Sequence, residues 1–181
     1  MTGGTAIAIV GAGLVVHQVG LSLAHHAERR ALYEEGGMRA HAVGKPFLLV
    51  GRPYKALEAP CSPDVTLDLD PETPMVCPTS GLVGDVTAIP YPDHYFGAAL
   101  ASHVIEHLGS IERAARAWSE LWRVSDAVAI AWPRRSAIWH HTNPEHMLWT
   151  EPVDSYHLYV EERYPPFRQA IVTPTGEVVW P

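Results

Sequence analysis

The chain has 181 residues, 47% of them hydrophobic, enough for one domain with a proper core and an appendage. A formal net charge of −7 argues against the basic face that a general phosphate-backbone binder needs, so no nucleic-acid partner is expected. Cys61 and Cys77 allow at most one disulfide and stand in no CxxC or other metal spacing, which excludes a disulfide scaffold and a zinc ribbon.

No Lys, Arg, Asp or Glu occurs before Glu28, and residues 5–24 are almost all apolar or small. Spanning a bilayer takes about 20 such residues, and the run is too long for the usual hydrophobic region of a signal peptide. Three readings compete for it. A strand entering a dinucleotide-binding glycine turn is disfavoured, because Val16 stands where the third glycine belongs and no acid-terminated strand follows at the right distance. A helix buried in protein would suit His17 and Gln18, which cost energy in lipid. Length, and the basic Arg29, Arg30 and Arg39 that follow, favour a single-pass membrane anchor with the carboxyl-terminal domain cytoplasmic. Gly11, Gln18, Ser22 and His25 share one face of this helix, a pattern suited to a partner helix. A polar extension continues to Glu35, with Gly36-Gly37 as its stop. His25 and His26 point about 100° apart on a helix, so they do not easily share one metal.

A second unit starts at Lys45-Pro46, which divides the chain into segments 1–44, 45–152 and 153–181. Phe47 to Val50 and Val65 to Leu69 read as strands with an abbreviated, proline-rich crossover between them. Further strands are expected to end near Asp85, to run from Phe96 to Ser102 with a turn into a helix, and to run from Asp126 to Trp132. Ser110 can cap a helix whose apolar face is Ile111, Ala114, Ala115, Trp118, Leu121 and Trp122. In the aromatic, proline-rich remainder only Gln169 to Trp180 shows a pattern, a hairpin turning at Thr175-Gly176. Apolar strands alternating with a helix predict a small, truncated α/β sheet, mostly parallel and Rossmann-like.

Eleven histidines are many for this length. His103 and His107 flank Glu106 at i, i+4, which invites a zinc reading, but no third ligand stands at a recognised spacing and no metal is assigned. His140, His141 and His146 read as a separate loop cluster.

From Pro46 onward the residues resemble a compact class I S-adenosylmethionine-dependent methyltransferase domain of the type 11 kind. The resemblance is carried by L-L-V-G-R-P at 48–53, L-D-L-D-P-E at 67–72, G-D-V-T-A-I-P-Y-P-D-H-Y-F at 84–96, A-S-H-V-I-E-H-L at 101–108 and N-P-E-H-M-L-W-T at 143–150. It implies a glycine turn at Gly51, ribose contacts from Asp68 or Asp70, and adenine contacts from Asp85 and Val86. It places Ser102 and His103 beneath the methyl donor, with Glu106 and His107 beside an acceptor. In methyl transfer His103 or His107 is suited to be a general base.

Three positions depart from the family pattern. Pro53, beside the bulky Arg52, replaces the second glycine and removes a backbone donor. Leu49 replaces the acid two positions before the turn, and Gly97 replaces an aspartate at the start of the fourth strand. These losses cluster on the cofactor side, so the expectation is a membrane-anchored pseudoenzyme, a non-catalytic subunit of a membrane or virion-like assembly. The alternative is an active enzyme that binds S-adenosylmethionine and methylates a small-molecule, lipid or glycan-precursor acceptor.

Overall fold

The computed structural model describes residues 3–51, 64–76 and 80–180, with the side chains of residues 3–16, 76, 139 and 140 outside the description. Arg52 and Pro53 of the expected turn, Cys61, Cys77 and the crossover from β1 to β2 therefore lie outside the described residues. In chain order the elements are α1 (Gly3–Ala42), β1 (Phe47–Val50), β2 (Val65–Asp68), α2 (Thr73–Val76), β3 (Gly81–Val83), β4 (Ala98–Ser102), a 3-10 turn (Ile105–His107), α3 (Ile111–Val124), β5 (Val128–Ala131), α4 (Ile138–Thr142), β6 (Leu148–Pro152), β7 (Leu158–Glu162), β8 (Gln169–Val172) and β9 (Val178–Val179).

Apolar residues on both faces of β1 and β4 make them central strands: all four residues of β1 and all five of β4 are buried. Strands β1 to β5 form one parallel sheet in the order β3-β2-β1-β4-β5, with Leu49 opposite Thr66 on one side and Leu100 on the other. The order reverses between β1 and β4, and ligands of open α/β sheets bind outside the carboxyl ends at such a point. This is the α/β methyltransferase-type sheet that the resemblance implied.

Helix α3 begins where Ser110 Oγ accepts the Arg113 amide at 3.3 Å, and it buries Ile111, Ala114, Ala115, Ala117, Trp118, Leu121 and Val124. Its apolar surface joins Leu48, Val50 and Ile130 of the parallel sheet to Leu158, Val160, Ala170 and Val172 of a second sheet. That second sheet is antiparallel, in the order β6-β7-β8-β9. The expected hairpin is its β8-β9 half, with Gly176 in the turn at φ +80°. Strands β6 and β7 were not legible in the proline-rich sequence, yet Thr150 pairs with Val160 and Leu158 with Val172. The residues after β4 also differ from expectation: they make only the 3-10 turn, and a left-handed Gly109 (φ +80°) precedes the capped helix.

The amino-terminal helix requires a correction. Among the described residues no helix is long and apolar enough to cross a membrane, which overturns the expected single-pass anchor at residues 5–24. The physical reason is the polar content of the helix from Gln18 onward, where Gln18, His25, His26, Glu28, Arg29 and Arg30 fall within four turns. The helix also has a protein surface to cover. It packs on β1, β4 and β5, placing Tyr33 and Ala40 in a core with Phe47, Leu49, Leu100 and Ala131. It does not stop at Gly36-Gly37 but runs through to Ala42. A Cβ on Gly36 would lie 2.6 Å from the Phe47 ring, so glycine at this position lets the helix approach the sheet.

Candidate functional site

A cavity of about 670 Å³ opens at the carboxyl ends of β1, β2 and β4, within the range of small-molecule sites. Its wall combines Gly51, Asp68, Val86, Ser102, His103 and His107 from the sheet side with Ser22, His25, His26 and Arg29 from α1. Six of the nine residues implied by the resemblance are therefore brought together. Asp70, Asp85 and Glu106 are not among the cavity's described lining residues.

Local geometry explains the division. Gly51 follows β1 at φ +96°, and a Cβ there would stand 2.4 Å from the Ser102 carbonyl oxygen, so no side chain fits. Asp68 ends β2, and its Oδ1 accepts the Asp70 amide at 2.9 Å. Asp70 in turn holds the Glu72 amide at 2.8 Å. Asp85 Oδ1 accepts both the amide and the hydroxyl of Thr87 at 2.8 Å, and Arg113 donates to Oδ2 at 3.4 Å. The Thr87 amide is the main reason its carboxyl is held below the usual carboxylate range. Asp85 thus holds the loop that sets the buried Val86, 3% exposed, against the cavity.

At the other end of the cavity the chain departs from extended geometry. His103 follows β4 with φ +54°, in the left-handed region, a strain that concentrates at functional sites. This turn directs its Nε2 to within 2.6 Å of His25 Nε2 and its Nδ1 to 3.0 Å from Glu106 Oε1. His25 is 5% exposed, and burial, then the His103 and Arg29 charges, lower its pKa to about 3. A neutral His25 can accept a proton from His103 Nε2 or donate one to it, so the two rings share one labile proton. Arg29, 7% exposed, donates from Nε to Ser102 Oγ at 3.0 Å.

Sequence reasoning missed His25 and Arg29 because it assigned their helix to a membrane. The signal was present in the spacing: Ser22, His25, His26 and Arg29 recur at three and four residues, one polar stripe on one face. That stripe faces the cavity, and further along it Gln18 Oε1 accepts the Ile138 amide at 3.0 Å.

The third histidine region also closes on this end. Met147 N donates to Glu106 O at 2.8 Å and Arg163 Nη1 to His146 O at 2.7 Å, which fixes the loop before β6. His146 is 4% exposed, its ring 4.7 Å from that of His107, and burial first of all lowers its pKa. The histidines read from sequence as two clusters thus meet in space.

Two of the three departures from the family pattern have packing reasons. Leu49 is 1% exposed in the core beneath α1. A Cβ on Gly97 would come within 2.6 Å of Ala40 Cα, so α1 occupies the space an aspartate would need.

Residues 50–127 match the family described as a methyltransferase domain. That match, together with the parallel sheet order β3-β2-β1-β4-β5, supports a methyltransferase-type domain over this span. No curated protein matches the sequence. Solved structures similar to this chain include a Thermotoga maritima methyltransferase described as a possible histamine N-methyltransferase. It is 16% identical over 69% of this chain and 67% of its own, with a TM-score of 0.44. An amino pentose methyltransferase of calicheamicin biosynthesis from Micromonospora echinaspora, solved with S-adenosylmethionine bound, is 14% identical over 81% and 68%, TM-score 0.45. Streptomyces venezuelae DesVI is 13% identical over 85% and 72%, TM-score 0.44. At these scores the likenesses carry no argument about substrate or mechanism.

Proposed function

We propose that the chain is a methyltransferase that binds S-adenosylmethionine in the 670 Å³ cavity and methylates a small acceptor at its histidine end. The observation that carries this reading is the chemistry of the cavity wall. At one end is a carboxylate, Asp68, suited to a ribose diol, with Val86 and Leu67 as apolar flank. In the middle is the buried Arg29, suited to a carboxylate. At the far end the His25–His103 pair stands over the strand terminus. The residues fit the group: the φ +96° turn at Gly51 leaves the β1 terminus without a side chain to obstruct it.

When bound, S-adenosylmethionine supplies an electrophilic methyl group on a sulfonium. The chain's own contribution is alignment and proton handling. Ser102, held by Arg29, fixes the floor under the methyl position, and α1 closes the cavity from above. The His25–His103 pair takes up the proton that an acceptor hydroxyl or amine releases, and Glu106 beside His103 Nδ1 stabilises the charge that results.

Calorimetry of the full-length chain with S-adenosylmethionine tests the reading. Micromolar binding, weakened at least about tenfold in Asp68→Ala and in Arg29→Ala, is expected for a ribose diol and a carboxylate held by those side chains. Absence of binding at millimolar cofactor would overturn it and leave the non-catalytic reading standing.

A further inference from the structure

We infer that Glu106, His107 and His146 form a binding site for one divalent transition-metal ion of the Zn²⁺, Co²⁺ or Fe²⁺ class, at the rim of the cavity. One ligand atom from each of the three residues lies within 4.8 Å of the other two. Ligands on one tetrahedral ion, each at about 2.1 Å, stand about 3.4 Å apart, so a side-chain rotation that draws the groups together closes the set. His107 is the exposed member and is free to make it.

The chemistry of the three groups agrees with this assignment. Two imidazoles and one carboxylate are a recurrent donor set for zinc and for non-haem iron. Glu106 is 1% exposed, and no hydrogen bond reaches its Oε1 among the described residues. A buried carboxylate needs compensating positive charge, and among the described residues His103 Nδ1 stands 3.0 Å from that oxygen without making a hydrogen bond to it. His107 Nδ1 is 3.1 Å from the Glu145 carbonyl oxygen, to which it can only donate. That bond fixes the tautomer and leaves the Nε2 lone pair for a metal, the usual outer support of a ligating histidine.

The backbone holds the ligands in register. The 3-10 turn places Glu106 and His107 side by side, and the Met147-to-Glu106 bond ties the His146 loop to that turn. Arg163, donating to the carbonyls of Asn143 and His146, fixes the same loop from the second sheet. His107 also lines the cavity, so an ion it holds would sit at the edge of the space assigned to the acceptor. An acceptor oxygen ligated there would lose its proton more readily. This role for the ion rests on the proposed methyl transfer; the binding itself does not.

The test uses Co²⁺ alone, without S-adenosylmethionine, on the full-length chain, followed by visible absorption. One equivalent with ligand-field bands, displaced by Zn²⁺, is expected. His107→Ala and His146→Ala should weaken binding by at least about tenfold, while His157→Ala, on the exposed β6–β7 turn, keeps it. His107 is exposed, so its variant should keep the wild-type melting temperature, separating lost binding from lost folding. Absence of bands would overturn the site. So would binding that survives in His107→Ala, or binding that instead disappears in His25→Ala.

Discussion

The two long helices that flank the parallel sheet differ in almost every respect. Helix α3 has one apolar face, a serine cap and a position between the two sheets, and it reaches the cavity only through Arg113 in its first turn. Helix α1 carries a glycine, Gly36, where it meets the sheet, and places a buried arginine and a buried histidine in the cavity wall. The helix with the clean periodicity is scaffold. The helix whose pattern is interrupted carries the site, because its interruptions are the groups that face the ligand space.

This contrast can be broken most directly in the scaffold. Leu121 is 0% exposed, and Leu121→Ala should cost about 2–5 kcal/mol in urea unfolding with both sheets lost together. A variant that unfolds the second sheet alone would show that α3 does not unite the layers. Next in size is Gly97→Leu, which drives a side chain into Ala40 and should cost about 1–3 kcal/mol. Hydrogen exchange should then accelerate in α1 while α3 stays protected; equal acceleration in both helices would erase the distinction.

A smaller effect is expected at Ser110→Ala, about 1 kcal/mol from loss of the cap, with no change in cofactor affinity. A further effect is electrostatic and separates the helices by pH. His25 in α1 titrates near 6.5 when unfolded and near 3 when folded. The unfolded chain therefore binds the proton first, and stability falls as pH falls through that window. Glu112 in α3 is held at about 2 instead of 4.5, chiefly by the Arg168 hydrogen bond, so its contribution is present above 4.5 and lost only toward 2. Half-exposure of Glu112 keeps that second effect slight. Urea midpoints between pH 7 and 5 should flatten in His25→Gln and stay unchanged in Glu112→Gln.

The legible parts of the sequence were those with local signals. The four-residue apolar run Phe47–Val50, the Ser110 cap and the Thr175-Gly176 turn all became the elements they announced. Strands β6 and β7 were hidden because proline and aromatic residues mask alternation, and their burial comes from α3, far away in sequence. The functional half was harder for the same reason. Asp68 and His103 stand next to strand ends and could be placed from the motif. The His25–His103 contact spans 78 residues, and the bond from Met147 to Glu106 crosses between sheets. Neither leaves a trace in local spacing.

The close approach of Gly97 to Ala40 has a consequence for how this domain can vary. With a Cβ at position 97 only 2.6 Å from the helix backbone, the strand start and α1 have to change together. A chain with an aspartate at 97 must hold this helix elsewhere or replace it. Related chains should therefore fall into two groups, with an acid at this position and a displaced helix, or glycine and this one.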